Sequence, residues 1–260
     1  MQVDKDLARR RFSRAARSYN MWSQPQERMA DGLMAMLGGM PAPASILELG
    51  CGTGLLTERL ELAYPKARIV AVDIAPEMID ECVRKRNGTN RAQFVIADAE
   101  NVSFDEQFDL VAGSSCFQWF VDLDGALERF SRLVTPFGFL AFSAPTNGTL
   151  RELWASYNAA APGKDPGHTL PGMASYLSSV VGARFAIQMA KEETHTYDCD
   201  TPEDVLRHLR GIGATRAMKD AGPGLNRSEL QRMLKHYRRN FSNRDCVTCT
   251  YKSLYVLARR

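Results

Sequence analysis

The sequence predicts an α/β protein: an open, mostly parallel sheet of seven strands with helices on both faces and helical insertions. Three observations carry this reading. Between residues 45 and 142, five short apolar runs alternate with segments of helical periodicity. The first run stops at a glycine cluster, and aspartates close the next two. Two longer β-rich runs, 184–198 and 247–257, bring the strand count to seven.

The elements follow in order. Leu7, Ala8, Phe12, Ala15 and Tyr19 recur at helical spacing behind Asp4, a capping residue, and predict a helix over 4–19. A second helix covers 23–38 and ends at Gly38-Gly39. Strands are predicted at 45–49, 68–73, 93–97, 108–112 and 138–142, with helices at 55–64, 76–87 and 123–134 between them. After Pro145 the rhythm loosens into helical pieces near 149–160 and 173–181, around a Pro/Gly-rich loop at 161–167. Thr201-Pro202-Glu203-Asp204 is a helix start with its cap, its first-turn proline and its acid three residues on. Asn226 with Glu229 opens another helix, whose buried face holds Leu230, Met233, Leu234 and Tyr237. There is no internal repeat. One domain over 1–260 is expected, with insertions at 145–183 and 201–245.

Composition excludes several classes. Hydrophobic residues make up 45% and charged residues 24% of the 260, which supports a buried core and excludes wholesale disorder. No run reaches the roughly 18 apolar residues of a membrane helix. The first residues lack the apolar centre of a secretory signal, so the expected address is the cytoplasm. Six scattered cysteines fit reduced thiols better than a disulfide scaffold. The net charge of +3 is unevenly spread: residues 1–30 carry +4 and residues 201–245 carry +5, flanking an acidic middle. Such basic segments are either solvated helix faces or a docking surface for an acidic partner.

The sharpest motif is Glu48-Leu49-Gly50-Cys51-Gly52-Thr53-Gly54, at the end of the first strand. Glycines at a strand-to-helix turn allow a ligand to approach the backbone. The spacing is G-x-G-x-G. A dinucleotide fingerprint would want glycine or alanine where Leu55 stands, so a pyrophosphate fits less well. The motif resembles motif I of the S-adenosylmethionine-dependent methyltransferases. Asp73 and Asp98 end the second and third strands where that family holds acids for the ribose hydroxyls and the adenine amino group. Ser114 and Ser115 follow the fourth strand, where it holds the methionine part. The resemblance implies a Rossmann-like class I methyltransferase fold. It also implies a cofactor site of Glu48, Gly50, Cys51, Gly52, Gly54, Asp73, Ile74, Asp98, Ala99 and Ser114, with S-adenosylhomocysteine as product. N-terminal helices within 1–40 would cover that site.

The flanking segments resemble one branch of this superfamily. Residues 10–19, the segment Leu209-Arg210-Gly211-Ile212-Gly213-Ala214-Thr215, the stretch 225–230 and the pair Gln118-Trp119 are similar to the malonyl-acyl-carrier-protein O-methyltransferases of biotin synthesis, the BioC family. The likeness runs from about residue 7 to 258, and the 209–215 segment is its most specific part. It implies methyl transfer to the free carboxylate of malonyl-acyl carrier protein. A carboxylate with a pKa near 4 is already ionised at neutral pH. No general base is required, and the sequence offers no persuasive catalytic dyad. Tyr19, Arg210 and Thr215 are candidates for gripping the malonyl unit. Arg232, Lys235 and Arg239 share one face of the 227–240 helix, with Arg227 nearby, as a docking face for the acidic carrier. The alternative is a methyltransferase acting on another small carboxylate or a quinone precursor. A monomer is expected, with no nucleic-acid or membrane partner and no metal. Cys246 and Cys249 lack a second ligand pair, and the four histidines show no metal spacing.

Overall fold

In the computed structural model the described residues are 3–86, 91–164, 169–214 and 224–260. Five strands run parallel: β1 (Ser45–Leu49), β2 (Arg68–Asp73), β3 (Gln93–Ile96), β4 (Phe108–Ser114) and β5 (Val134–Pro145), in the order β3-β2-β1-β4-β5. Beyond β5 the sheet turns antiparallel through two long strands. In chain order these are β6 (Ala186–Cys199) and, after the two-residue β7 (Ser242–Asn243), β8 (Cys246–Arg259); β8 lies between β5 and β6.

Alternation along the strands sorts the core into two layers. On one face Ile46, Leu110 and Ala112 meet Leu33 and Leu37 of α2 (Gln24–Leu37) and Leu56 and Leu60 of α3 (Leu55–Ala63). On the other, Leu47, Val111 and Phe142 meet Leu127 and Phe130 of α5 (Leu123–Leu133) and Tyr176 and Val180 of α7 (Met173–Gly182). These side chains are at most 3% exposed, the burial expected of parallel strands covered on both faces.

β6 and β8 pair over their whole length and overhang the parallel strands. A third core forms on the overhang: Tyr157 of α6 (Arg151–Ala160), Val205 of α8 (Pro202–Gly211), and Met233 and Tyr237 of α9 (Arg227–Phe241), against Val247, Cys249 and Tyr251. Both helices expected from capping sequences start as read. Thr201 with Asp204 and Asn226 with Glu229 form reciprocal capping boxes. The 145–183 stretch divides, however: α6 joins α8 and α9, while α7 packs on the main sheet.

Three expectations need correction. The sheet has eight strands, because the short β7 pairs with the start of β8 in a hairpin turned at Arg244, whose φ is +57°. β5 begins at Val134, not 138, with a register irregularity against β4 that takes up Phe137 at φ +68°. The first helix, α1 (Lys5–Ala15), stops early and gives way to a 3₁₀ turn, Tyr19–Met21. There the Ser18 hydroxyl reaches the Ala15 and Gly211 carbonyls, which turns the chain away from the helix axis.

Phe130 is fully buried and lies edge-on to Phe117 and Phe120 at 6.0 and 5.9 Å. Phe130→Ala is expected to lower unfolding free energy by about 3–5 kcal/mol, read from urea denaturation; a loss under about 1 kcal/mol would mean that this layer is not the core.

Candidate active site

The parallel order reverses between β1 and β4. In an open α/β sheet a ligand crevice forms at the carboxyl ends of the strands at that point. A cavity of about 890 Å³, mouth included, lies there. Its floor is the loop after β1. Gly50, Gly52 and Gly54 all have left-handed φ, +66°, +54° and +88°. At Gly50 a Cβ would sit 2.5 Å from Cys116 Cβ, and at Gly54 2.4 Å from Cys82 Sγ, so neither turn tolerates a side chain.

Asp73 fastens this loop to the end of β2. Its Oδ2 accepts the Gly52 N–H at 2.8 Å and its Oδ1 the Ala75 N–H at 2.8 Å. Beside it the Cys51 N–H donates to the Val72 carbonyl at 2.9 Å. Burial pushes the Asp73 carboxyl up to about 6, against the pull of its backbone donors. Glu48, 1% exposed, lies on the same floor, and its Oε2 has no partner among the described residues. Burial first, then the neighbouring Asp73 and Glu61 charges, raise it to about 7; Thr57 and Arg86 oppose this.

The roof is α1 with the turn after it. Lys5 donates to Asp98 Oδ1 at 2.9 Å and lies 2.6 Å from Glu100 Oε2. Phe12 meets Trp119 edge-on at 5.2 Å, and the Thr53 hydroxyl donates to Asn20 Oδ1 at 2.6 Å. Asp98 also accepts from the Glu100 N–H and the Asn101 amide, so its carboxylate is set before any ligand arrives.

Nine of the ten expected cofactor residues line this one cavity: Glu48, Gly50, Cys51, Gly52, Asp73, Ile74, Asp98, Ala99 and Ser114. Gly54 does not; it is the left-handed cap that starts α3. Tyr19 lines the cavity, and burial with the Asp73 charge keeps its hydroxyl protonated. Arg210 is not in that lining; it borders a separate groove with Arg11, Arg14 and Gly213. Thr215 falls outside the described residues. The expected docking residues Arg227, Arg232, Lys235 and Arg239 are all exposed on α9, and the Arg232 guanidinium also donates to the Ala160 carbonyl at the end of α6. Sequence reasoning missed Lys5, Gln26, Thr53 and Phe120 in the lining. Gln26 is 9% exposed and its Oε1 has no partner among the described residues. A polar residue among the buried positions of an amphipathic helix was the available signal.

Residues 46–138 match the family model described as a methyltransferase domain. The chain is 32% identical to the malonyl-[acyl-carrier protein] O-methyltransferase of Geobacter sulfurreducens over 267 aligned residues, which span 99% of this chain and 100% of that one. The chain belongs to the malonyl-[acyl-carrier protein] O-methyltransferase family. Among solved structures it resembles the YcgJ protein of Bacillus subtilis, with a TM-score of 0.62 and 16% identity over 90% of this chain and 98% of that one. It also resembles geranyl diphosphate C-methyltransferase of Streptomyces coelicolor, solved with Mg2+, geranyl diphosphate and S-adenosyl-L-homocysteine; there the TM-score is 0.53, with 14% identity over 90% of this chain and 78% of that one. At these identities the likeness establishes the Rossmann-like fold. Membership of the methyltransferase family makes the protein a user of S-adenosylmethionine.

The two raised carboxyls predict a pH dependence. Glu48 and Asp73 take up protons as pH falls through about 7 and 6. A ligand that presents an ammonium and hydroxyl donors favours their ionised forms. S-adenosylhomocysteine affinity, measured by calorimetry, is therefore expected to be flat above pH 7.5 and to weaken toward pH 5.5, with proton release on binding at the lower pH. An affinity that is constant or rises on acidification would show that these carboxylates do not face the ligand.

Proposed function

We propose that this chain methylates the free carboxylate of malonyl-acyl carrier protein, using S-adenosylmethionine, the step that the sequence resemblance puts early in biotin synthesis. The observation that carries this is the extent of the match. The likeness to a malonyl-[acyl-carrier protein] O-methyltransferase runs over 99% of the chain, well beyond the matched methyltransferase-domain residues 46–138. It therefore includes α6, α8 and α9, which a cofactor fold alone does not need.

The residues suit the cofactor. Asp73, fixed by its backbone donors on the cavity floor, accepts from the ribose hydroxyls. The partnerless Glu48 Oε2 suits an ammonium group, and Asp98 the adenine amino group. Ser114, hydrogen-bonded to Ser143 at 2.9 Å, and the open space at Gly52 leave room for the methionine part. The bound cofactor supplies an electrophilic methyl on a sulfonium.

The chain's own contribution is position and dryness. Phe12, Trp119 and Phe120 wall the cavity with apolar surface, which excludes water and leaves the acceptor carboxylate less solvated. The Tyr19 hydroxyl, protonated and inside the cavity, donates a hydrogen bond to the malonyl unit and takes no proton. Nothing here demands a general base, since the acceptor is already an anion. Holding two reactants in line is itself worth several kcal/mol. The reaction as read needs no metal. The protein works as a cytoplasmic monomer, with the carrier as its macromolecular partner and neither nucleic acid nor membrane engaged. Among the described residues no helix is long and apolar enough to cross a membrane.

The carrier docks on the exposed part of α9. Lys235, Arg238 and Arg239 line a groove with Glu203 and Leu234. Arg238 is tied to Glu203 at 3.5 Å, which leaves Lys235 and Arg239 as the cations on offer to an acidic helix.

Two outcomes are expected. Labelled methyl transfer goes to malonyl-acyl carrier protein in strong preference to malonyl-CoA or free malonate, and gives a base-labile ester. Transfer to none of the three, despite cofactor binding, would remove the substrate assignment and return the alternative acceptors. Replacing Lys235 and Arg239 with Glu together raises KM for the carrier substrate roughly fivefold or more, with S-adenosylhomocysteine affinity little changed. An unmoved carrier KM would remove the docking face.

A further inference from the structure

Against α1, beside the cavity, lies a groove of about 420 Å³, lined by Arg11, Arg14, Ala15, Ser18, Arg210 and Gly213. Two glycines create it. Gly213 has φ +70°, and a Cβ there would lie 3.1 Å from the Arg11 carbonyl oxygen and the Phe12 ring; at Gly211 it would lie 2.2 Å from the Trp22 ring. The absence of side chains presses the end of α8 onto α1 and sets Arg210 beside Arg11 and Arg14.

Three guanidiniums gather there with little counter-charge. Among the described residues neither Arg14 nor Arg210 has an ion-pair or hydrogen-bond partner, and one terminal nitrogen of Arg11 is buried without one. Burial and then the Arg14 charge hold the Arg11 guanidinium below its ordinary value; Asp4 acts the other way, but it is committed to capping the Leu7 N–H. The carbonyls that close α8 are also taken. His208 O accepts from the Ile212 N–H, Arg210 O from the Gly213 N–H, and Gly211 O from the Ser18 hydroxyl. Among the described residues the groove offers forked donors and no carboxylate. Such donors pair with the two charged oxygens of a phosphate ester as well as they do with a carboxylate.

Its place on the molecule narrows the ligand further. Phe12, whose ring lies beside Gly213, also lines the active-site cavity, so groove and cavity adjoin at α1. The carrier substrate has one phosphate ester on its prosthetic arm, the phosphodiester that joins the pantetheine to the carrier. We propose that Arg11, Arg14 and Arg210 bind this phosphodiester and so place the arm for entry of its malonyl end into the cavity. The inference rests on malonyl-acyl carrier protein being the substrate. It moves Arg210 from gripping the malonyl unit to gripping the arm.

The test compares malonyl-phosphopantetheine with malonyl-pantetheine, which lacks the phosphate, as small acceptors. Whole malonyl-acyl carrier protein is run alongside. Each is measured with the wild-type chain and with the double variant Arg14→Ala, Arg210→Ala. Because the ratio of the two small acceptors is taken within one protein, general damage to the variant cancels. Wild type is expected to show a KM about tenfold lower for the phosphorylated acceptor, the worth of one charge-assisted contact, and the variant a ratio within about threefold of one. Equal KM values in the wild type, or an undiminished ratio in the variant, would overturn the assignment. So would a variant defect seen only with the whole carrier, because the groove would then read the carrier's acidic side chains. Failure to methylate any of the three acceptors would overturn the substrate reading itself, a result distinct from equal use of the two small ones.

Discussion

The site depends on one buried carboxylate. Asp73 is 9% exposed and joins two chain segments just past the paired ends of β1 and β2, the glycine loop through Gly52 and the start of α4 (Pro76–Lys85) through Ala75. Burying a carboxylate is costly, and its raised pKa of about 6 records that cost. The backbone donors offset part of it. The result is a loop whose amides and left-handed glycines are arranged before a ligand arrives. Preorganisation of this kind lowers the ordering cost of binding.

The remaining elements serve that centre at increasing distance. The β1/β4 switch point opens the crevice, and Phe117, stacked on Phe142 at 4.2 Å, stiffens the floor on its β4 side. α1 roofs it through one half-buried ion-pair set at Lys5 and one aromatic contact at Phe12. Then come the long β6–β8 ribbon and the three helices on its overhang, which carry the basic surface. The cofactor half is nearly closed and mildly acidic, and the outer half is open and basic. That division suits an enzyme that must hold a small cation and receive a large anionic partner.

Much of this was legible from the residues, because the signals were local. Alternating apolar runs, G-x-G-x-G and the two capping boxes act over a few residues, so Glu48 to Gly54, Asp73, Asp98 and the starts of α8 and α9 stand where the sequence put them. What depended on distant contacts was not legible. Lys5 reaches the site only because α1 folds back over residues 93 positions away. Arg232 stands exposed on the basic stripe as read, but its bond to the Ala160 carbonyl 72 residues earlier could not be foreseen. Arg210 sits in the stretch most specific to the family but faces α1 rather than the cavity. Helical spacing tells which side chains share a face, and it leaves open what that face meets. β7 was missed for a similar reason: two residues carry no periodicity.

The most direct test of the account is amide hydrogen exchange at Gly52 and Ala75, in ligand-free wild type and in Asp73→Asn. If the carboxylate holds the loop, both amides are protected in the wild type and exchange at least about tenfold faster in the variant, while the core amides of β1 and β4 stay protected. Equal protection in the two proteins would contradict the account. The glycine loop would then hold its shape unaided, and Asp73 would serve only the ligand.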